Sequence, residues 1–155
     1  MAIEIERKFL VSDDSWRMQA DDGVFLQQGY LASDRHSCVR VRLAAGQAWL
    51  AVKQAVSPIR RLEYEYPIPE QDARELLAGI DVQHAIGKTR YRVEHAGHVW
   101  ELDVYTGANA GLVIAEIELD DEQEKFVRPS WLGEEVSDDP RYYDMNLASL
   151  PYPQW

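Results

Sequence analysis

The sequence predicts a mainly β (α+β) fold in which eight antiparallel strands close into a barrel with a charged lumen, flanked by a few short helices. Three observations support this prediction. Short strand-like runs follow one another with brief connections. Charged and apolar residues alternate within these runs, as they do on a strand whose two faces differ. No linker-like or repetitive stretch interrupts the sequence, so residues 1–155 are expected to form one domain.

The strand-like runs lie at residues 3–11, 24–33, 36–45, 47–54, 60–68, 86–95, 98–105 and 111–120. Two helices are predicted beside them. Residues 69–79 begin with a proline and acidic residues and end with a glycine, which is typical of a short helix. Residues 120–128 are rich in acidic residues and precede Pro129, which predicts a second helix.

Charged side chains share one face in each of several runs. In the first run, Glu4, Glu6 and Lys8 alternate with apolar residues. The same alternation recurs in later runs at Arg40 and Arg42, at Arg61, Glu63 and Glu65, at Lys88, Arg90 and Arg92, at Glu101 and Asp103, and at Glu116 and Glu118. A solvated outer sheet face is one interpretation. The number of strands, and the basic residues gathered on one face of a protein with a net charge of −11, favour an enclosed lumen.

Two tight turns test whether the charged faces of neighbouring strands coincide. Two-residue turns at 45–46 and 96–97 would fix which residues oppose one another. The predicted pairs are Arg40 with Ala51, Arg42 with Trp49, Cys38 with Lys53, Arg90 with Asp103 and Arg92 with Glu101. These pairs make the charged faces continuous, although Arg92 with Glu101, and Arg90 with Asp103, could also simply neutralise one another as ion pairs.

The basic residues of the lumen predict an anionic ligand. Arginine side chains bind phosphate oxygens through two parallel hydrogen bonds, and lysines add compact positive charge. Several of each suit a ligand that carries four or five negative charges. The predicted substrate-binding residues are Lys8, Arg40, Arg42, Lys53, Arg61, Lys88 and Arg90.

The acidic residues of the lumen predict a divalent cation. Like charges on neighbouring strands destabilise a sheet unless a cation lies between them. The set contains oxygen ligands and no histidine, which favours Mg²⁺ or Mn²⁺. The predicted metal ligands are Glu4, Glu6, Glu116 and Glu118, with Glu63 and Asp103 nearby.

These motifs resemble the CYTH domain, or triphosphate tunnel metalloenzyme, family. The family's amino-terminal Glu-x-Glu-x-Lys signature is matched by Glu4, Glu6 and Lys8, and the later charge pairs follow in order over essentially the whole chain. The resemblance implies an eight-stranded tunnel that binds a triphosphate with a divalent metal. Family members hydrolyse inorganic triphosphate, thiamine triphosphate or nucleoside triphosphates, and one branch makes cyclic AMP from ATP.

Hydrolysis of inorganic triphosphate to pyrophosphate and phosphate is the expected activity, because the domain is minimal and shows no obvious pocket for a base or a thiazole ring. Class IV adenylate cyclase and thiamine or nucleoside triphosphatase are the alternatives within the family. A polyphosphate or nucleotide sensor is the non-enzymatic alternative. A sensor would not need every metal-binding carboxylate, and all of them are present.

Three residues are expected to take part in the chemistry. Lys8 and Lys53 would stabilise the charge that moves to the leaving oxygen. Tyr30 could point into the lumen near Lys53, where it would lose its proton more easily and act as a base or acid. The alternative for Tyr30 is a structural hydrogen bond. Arg141 could either cap a mouth of the barrel or pack against it.

Charge and composition exclude several classes of partner. With 16 basic and 27 acidic residues, the chain lacks the positive surface field that would attract nucleic acids or anionic membranes. No apolar run approaches the roughly 20 residues that span a bilayer, and a cytoplasmic protein is expected. The single cysteine, Cys38, cannot form an internal disulfide. The tryptophans near the end could be buried in a homodimer contact or could cover the barrel.

Overall fold

The computed structural model describes residues 2–81 and 84–155. In these residues the strands are β1 (Ile3–Val11), β2 (Val24–Ser33), β3 (Ser37–Ala44), β4 (Gln47–Ala55), β5 (Arg60–Ile68), β6 (Ala85–His95), β7 (His98–Tyr105), β8 (Val113–Leu119) and β9 (Leu132–Glu135). The α-helices are α1 (Glu70–Gly79) and α2 (Asp144–Ser149). Short 3-10 turns form at Ser15–Gln19, Gly107–Asn109, Pro140–Tyr142 and Tyr152–Gln154.

Eight of these strands form the predicted closed antiparallel barrel. Their order around the barrel is β5-β4-β3-β2-β6-β7-β8-β1, and β1 pairs with β5 to close the ring. Closure leaves no free edge in the ring and requires inward and outward residues to alternate along every strand. The short strand β9 pairs with the end of β1 and was not predicted from the sequence.

Both predicted hairpins are confirmed, together with their registers. Arg40 pairs with Ala51, Arg42 with Trp49, Cys38 with Lys53, Arg90 with Asp103 and Arg92 with Glu101. The two turns have positive φ angles at both central residues, 51° and 76° at Ala45-Gly46 and 48° and 84° at Ala96-Gly97. Turns of this kind match the right-handed twist of the strands they join. The charged faces are therefore continuous.

The main apolar core lies outside the barrel wall. Phe9, Trp100 and Ile117 are fully buried on the outer faces of β1, β7 and β8. Two irregular segments cover them and contribute Trp16 and Trp131. Because chain segments on the outside supply the apolar burial, the inner faces of the same strands are left for charged side chains.

Two helices complete the packing. Helix α1 buries Ala73 against Val41 and Leu43 on the outer face of β3. Helix α2 lies against the inner side at one end of the barrel, where Leu147 is fully buried in an apolar cluster that includes Tyr30. Helix α1 agrees with the prediction for residues 69–79. Helix α2 was not predicted.

The helix predicted at residues 120–128 is wrong. This segment contains turns followed by irregular chain. Its acidic side chains accept hydrogen bonds from nearby backbone N–H groups: Glu124 from Asp120 at 2.7 Å and Asp121 from Gln123 at 2.8 Å. Such local bonds compete with helix formation. The extended path also lets Phe126 pack edge-on against Trp100, with ring centroids 5.5 Å apart.

None of the helices in the described part of the chain has the length and apolar character needed to cross a membrane.

Candidate active site in the barrel lumen

A single cavity of about 270 Å³ brings the predicted site residues together. All of them line it except Asp103, whose side chain is fully buried behind the lining. The lining also includes Glu101, and Tyr143 and Asp144 from the α2 end of the barrel, none of which was among the predicted site residues. The sequence pattern on the strands was therefore sufficient to find most of this site.

Charged side chains of both signs line the lumen, and we divide most of them into two groups. We call Glu4 and Glu6 on β1, with Glu116 and Glu118 on β8, the acidic wall. We call Arg40 and Arg42 on β3, with Lys53 on β4 and Lys88 on β6, the basic wall. In the ring of eight strands β3 lies four strands from β8, whereas β4 lies two strands from β1 and β6 two strands from β8. The two groups therefore meet where Lys53 lies 3.5 Å from Glu4. A ligand in the cavity would lie between the two walls.

Lys8 is enclosed by carboxylates of the acidic wall. Its ammonium lies 2.6 Å from Glu116 and 3.3 Å from Glu6. Although burial opposes it, this contact with Glu116 and then Glu6 raises the pKa of Lys8 above its usual range. Burial likewise opposes ionisation of Glu116, but Lys8 and Arg90 hold the pKa of Glu116 well below its usual range. Lys8 and Glu116 therefore form a fixed, fully charged pair.

Lys53 makes longer contacts with carboxylates than the 2.6 Å contact between Lys8 and Glu116. Its ammonium lies 3.2 Å from Glu63 and 3.5 Å from Glu4. Burial and the neighbouring Arg40 guanidinium lower the pKa of Lys53. Arg61 also contacts the acidic wall at long range, 3.5 Å from Glu4 and 3.7 Å from Glu6. These contacts are long enough to be exchanged for ligand contacts.

Two carboxylates of the acidic wall, Glu4 and Glu6, have only long contacts with cations, and Glu118 forms no ion pair within 4 Å among the described residues. Burial and the Glu116 carboxylate raise the pKa of Glu6. Burial, with Glu4 and Glu6, raises the pKa of Glu118. Glu6 and Glu118 face each other across the β1–β8 pair, and the buried Oε2 atom of Glu4 accepts no hydrogen bond. This all-oxygen set has the chemistry that a hard divalent cation requires.

The acidic wall does not form a ready-made metal site as it stands. Across residues 2–81 and 84–155, no three acidic, histidine or cysteine side chains converge closely enough to hold an ion. Glu4 and Glu6 lean instead toward Lys53, Arg61 and Lys8. The carboxylate oxygens are suitable ligands for a divalent cation. Glu4 and Glu6 would have to release their ion pairs before they could bind it.

Asp103 differs from the other predicted metal ligands in its surroundings. Its two oxygens accept hydrogen bonds from Arg90 at 2.7 and 2.8 Å, and Oδ2 also accepts one from Lys88 at 2.7 Å. The side chain is fully buried. Since both oxygens already bind cationic groups, we assign Asp103 to the orientation of Arg90 and Lys88 and leave it out of the proposed metal ligands.

Tyr30 is buried beside the lumen, but its pKa is shifted in the direction opposite to the one expected. Burial and the Asp144 carboxylate raise the pKa of Tyr30 above its usual range. Its hydroxyl accepts a 3.3 Å hydrogen bond from Gln28. The expectation that Tyr30 loses its proton more easily is therefore wrong, because apolar burial and a nearby carboxylate outweigh the basic neighbours.

Two arginines that the sequence left undecided lie at the periphery. The Arg92 side chain is 68% exposed and is 3.8 Å from Glu101. Arg141 is exposed and pairs with Asp139 at 2.7 Å. Neither lines the cavity.

Comparison with known proteins agrees with the site geometry. The CYTH domain model matches residues 2–143. The chain belongs to the CYTH domain family. An inorganic triphosphatase from Acetivibrio thermocellus is 46% identical to it over 152 residues, covering 98% of this chain and 97% of that protein. An inorganic triphosphatase from Nitrosomonas europaea is 35% identical over 154 residues, covering 96% and 99%.

Solved structures of CYTH proteins share the architecture. The crystal structure of the inorganic triphosphatase NE1496 has a TM-score of 0.68 and 33% identity, and the match covers 96% of both chains. A putative adenylate cyclase from Bacillus halodurans has a TM-score of 0.55 and 16% identity, covering 79% of this chain and 84% of that one. The second likeness shows the barrel fold alone.

Proposed function

We propose that this CYTH protein hydrolyses inorganic triphosphate to pyrophosphate and phosphate inside its barrel. The observation that carries the proposal is a closed barrel in which one cavity is lined by both the basic wall and the acidic wall. A linear triphosphate with a divalent cation carries both signs of charge in the same arrangement. The two relatives that are called inorganic triphosphatases, matched over nearly their whole length, support this substrate.

The acidic wall would hold the divalent cation, Mg²⁺ or Mn²⁺. Glu4, Glu6 and Glu118 are the proposed ligands because their oxygens are the least engaged. Glu116 and Glu63 are already paired with Lys8 and Lys53, at 2.6 and 3.2 Å, and would support this set from outside. When bound, the cation would neutralise charge on the phosphate oxygens.

The basic residues would bind and orient the triphosphate. Arg40 and Arg42 can each present paired N–H groups to phosphoryl oxygens, and Lys53 can add a single contact. Arg90 and Lys88 line the same cavity with their side chains held by Asp103, and would add positive charge behind these contacts. Holding the chain of phosphates in line with the attacking water supplies most of what phosphoryl transfer needs.

Hydrolysis then breaks one phosphoanhydride bond. A water oxygen attacks the terminal phosphorus, the bond from that phosphorus to the bridging oxygen breaks, and pyrophosphate leaves. The proton that the water gives up would pass to a cavity carboxylate outside the proposed ligand set, Glu101, whose pKa is raised by burial. Lys53, whose pKa is lowered by burial and Arg40, can donate a hydrogen bond or a proton to the departing oxygen. Lys8 would stabilise charge without changing its own protonation.

The test is phosphate release from inorganic triphosphate, ATP and thiamine triphosphate, with Mg²⁺, with Mn²⁺ and with a chelator. We expect metal-dependent release that is fastest with inorganic triphosphate. Arg141→Ala serves as the control, because Arg141 lies outside the cavity. Cyclic AMP formed from ATP would replace the proposal with a cyclase, and tight triphosphate binding without turnover would replace it with a sensor.

The partner proposed here is the small anionic substrate, and no nucleic acid is expected at a net charge of −11. A cytoplasmic location and a homodimer stay predictions from the sequence. Light scattering on the purified protein decides between a monomer and a dimer, and cell fractionation tests the location.

A further inference from the structure

Gln28 on β2 is a fully buried glutamine among the charges of the lumen. Its Oε1 accepts a 2.9 Å hydrogen bond from Arg42 Nε, and its Nε2 donates a 2.8 Å bond to Asp144 Oδ2. Arginine can only donate and an ionised carboxylate can only accept, so the chemistry of these two partners fixes the orientation of the amide. Gln28 therefore connects a cation to an anion through one neutral group.

Asp144 is the acceptor at the centre of this arrangement. It is the first residue of α2 and its side chain is 12% exposed. Besides Gln28, it accepts hydrogen bonds from Lys88 Nζ at 2.7 Å and from Tyr105 Oη at 2.5 Å. Although burial opposes ionisation, Lys88 and then Lys8 hold the pKa of Asp144 below its usual range. Asp144 thus anchors Gln28 and Lys88 together.

Arg42 differs from the other cations of the lumen in its partners. Lys8, Arg40, Lys53, Arg61, Lys88 and Arg90 each lie within 4 Å of a carboxylate. Within the parts of the chain that the structure describes, Arg42 has no such partner and only the neutral Gln28 oxygen contacts its Nε. Arg40 and Arg90 repel it. Gln28 can therefore hold Arg42 in place without neutralising the charge that a phosphoryl group would meet.

We propose that Gln28 and Asp144 are positioning residues: Asp144 anchors the Gln28 amide, and Gln28 holds Arg42 ready to bind a phosphoryl group of the substrate. We call the pair Gln28 and Asp144 the brace. This inference rests on the proposed function for its substrate. Asp144 lies one residue beyond the segment that the CYTH model matches, and the strand motifs do not include either residue.

The first experiment measures tripolyphosphate binding by calorimetry in the presence of a chelator, which separates anion binding from turnover. Gln28→Met removes these two hydrogen bonds and the longer one to the Tyr30 hydroxyl, at nearly the same volume. We expect the Kd to rise roughly 10-fold to 100-fold. Gln28→Glu would pair Arg42 with a carboxylate, and we expect a larger loss of affinity. Unchanged affinity in Gln28→Glu would overturn the brace.

A double-mutant cycle distinguishes positioning from a general loss of structure. If Gln28 acts through Arg42, then Gln28→Met should add less than about 2-fold to the Kd in an Arg42→Met background. Additive losses would overturn the proposal. For the turnover reaction, we expect Gln28→Met and Asp144→Asn to raise KM much more than they lower kcat, because Arg42 binds a phosphoryl group before and during reaction alike.

Asn109 supplies a matched structural control. Its buried amide also makes two hydrogen bonds, from Nδ2 to the Leu147 carbonyl of α2 at 3.1 Å and from the Tyr152 N–H to Oδ1 at 2.9 Å. It does not line the lumen cavity. Asn109→Leu should lower the Tm and leave the Kd unchanged. Equal Kd losses in Asn109→Leu and Gln28→Met would show that the brace acts through stability alone and would overturn positioning.

The two proposals fail in different ways. If the wild-type protein binds tripolyphosphate but releases no phosphate, the proposed function fails, and the binding arm still decides the brace. If the wild-type protein hydrolyses triphosphate and Gln28→Met leaves both Kd and KM unchanged, the brace fails and the function stands.

Discussion

The two walls of the lumen show opposite electrostatic problems. On the acidic wall, burial and neighbouring carboxylates raise the pKa values of Glu6 and Glu118, so negative charge is in excess. On the basic wall, burial and neighbouring guanidinium groups lower the pKa values of Arg42 and Lys53, so positive charge is in excess. The two walls neutralise each other only in part, through the 3.5 Å contact between Lys53 and Glu4. A ligand that carries both signs would relieve both problems together.

The contrast also separates fixed pairs from exchangeable ones. Lys8 with Glu116 and Arg90 with Asp103 are short pairs, at 2.6 and 2.7 Å, and both acids are buried. The contacts of Glu4 and Glu6 with neighbouring cations are longer, from 3.3 to 3.7 Å. The short pairs maintain the geometry of the lumen, whereas the long ones can be replaced by ligand.

Removal of charge from the acidic wall should have the largest effect. Glu118→Gln keeps the side-chain volume and removes a proposed metal ligand, so we expect kcat to fall at least about 100-fold while the protein stays folded. Glu122→Gln on an exposed loop is the matched control and should retain wild-type kcat. Steady-state kinetics over a range of Mg²⁺ concentrations measures both. Wild-type activity of Glu118→Gln at every concentration would remove Glu118 from the site.

Filling both walls should stabilise the protein more than filling either one. Ligand at 100 times its Kd adds about 2.7 kcal/mol to the free energy of unfolding, which corresponds to a rise in Tm of roughly 5–10 °C for a chain of this size. We expect tripolyphosphate with Mg²⁺ to raise the Tm by more than the sum of their separate effects. Differential scanning calorimetry measures this. An additive response would indicate that the two ligands bind independently.

A conservative change on the basic wall should have a moderate effect. Arg42→Lys keeps the charge but loses the paired N–H groups and the Nε that Gln28 holds. We expect KM for triphosphate to rise about 10-fold. Arg92→Lys, at a side chain that is 68% exposed, should leave KM unchanged and serves as the control. Equal kinetics in the two variants would place Arg42 outside the binding surface.

The smallest expected effect is on the pH dependence of the Tm, measured with a chelator present. The folded-state pKa of Glu118 is raised, so its ionisation disfavours the folded protein as pH rises through that pKa. Glu118→Gln removes this cost. The Tm of Glu118→Gln minus that of the wild type should be near zero in acid, where Glu118 is protonated in both the folded and the unfolded protein, and should become positive as the pH rises. A difference that stays constant with pH would contradict the assignment.

Strand patterning allowed most of the site to be predicted. The alternation at Glu4, Glu6 and Lys8, and the turns at 45–46 and 96–97, placed the charged residues on one continuous inner face. Each of these inferences depends on near neighbours in sequence, since strand parity and turn geometry are local. The family resemblance then gave the activity that the curated relatives support.

Residues outside the strands could not be assigned in this way. Asp144 lies in a short helix, and its role depends on Gln28 and Lys88, which are 116 and 56 residues away in sequence. The segment 120–128 has helical composition, but its acidic side chains bond to nearby backbone and Phe126 packs onto Trp100. The ionisation of Tyr30 was wrongly predicted because it depends on burial beside Asp144.

The sequence by itself determined the barrel, the register of its hairpins and which side chains face the lumen, because alternation and turn chemistry act over a few residues. Only the tertiary structure decided which charges are paired. It placed Asp103 behind Arg90, left Arg42 without a carboxylate among the described residues and brought Asp144 from α2 to Lys88. Pairing of buried charges depends on distances of a few ångströms between segments that are remote in sequence, and closure of the barrel sets those distances.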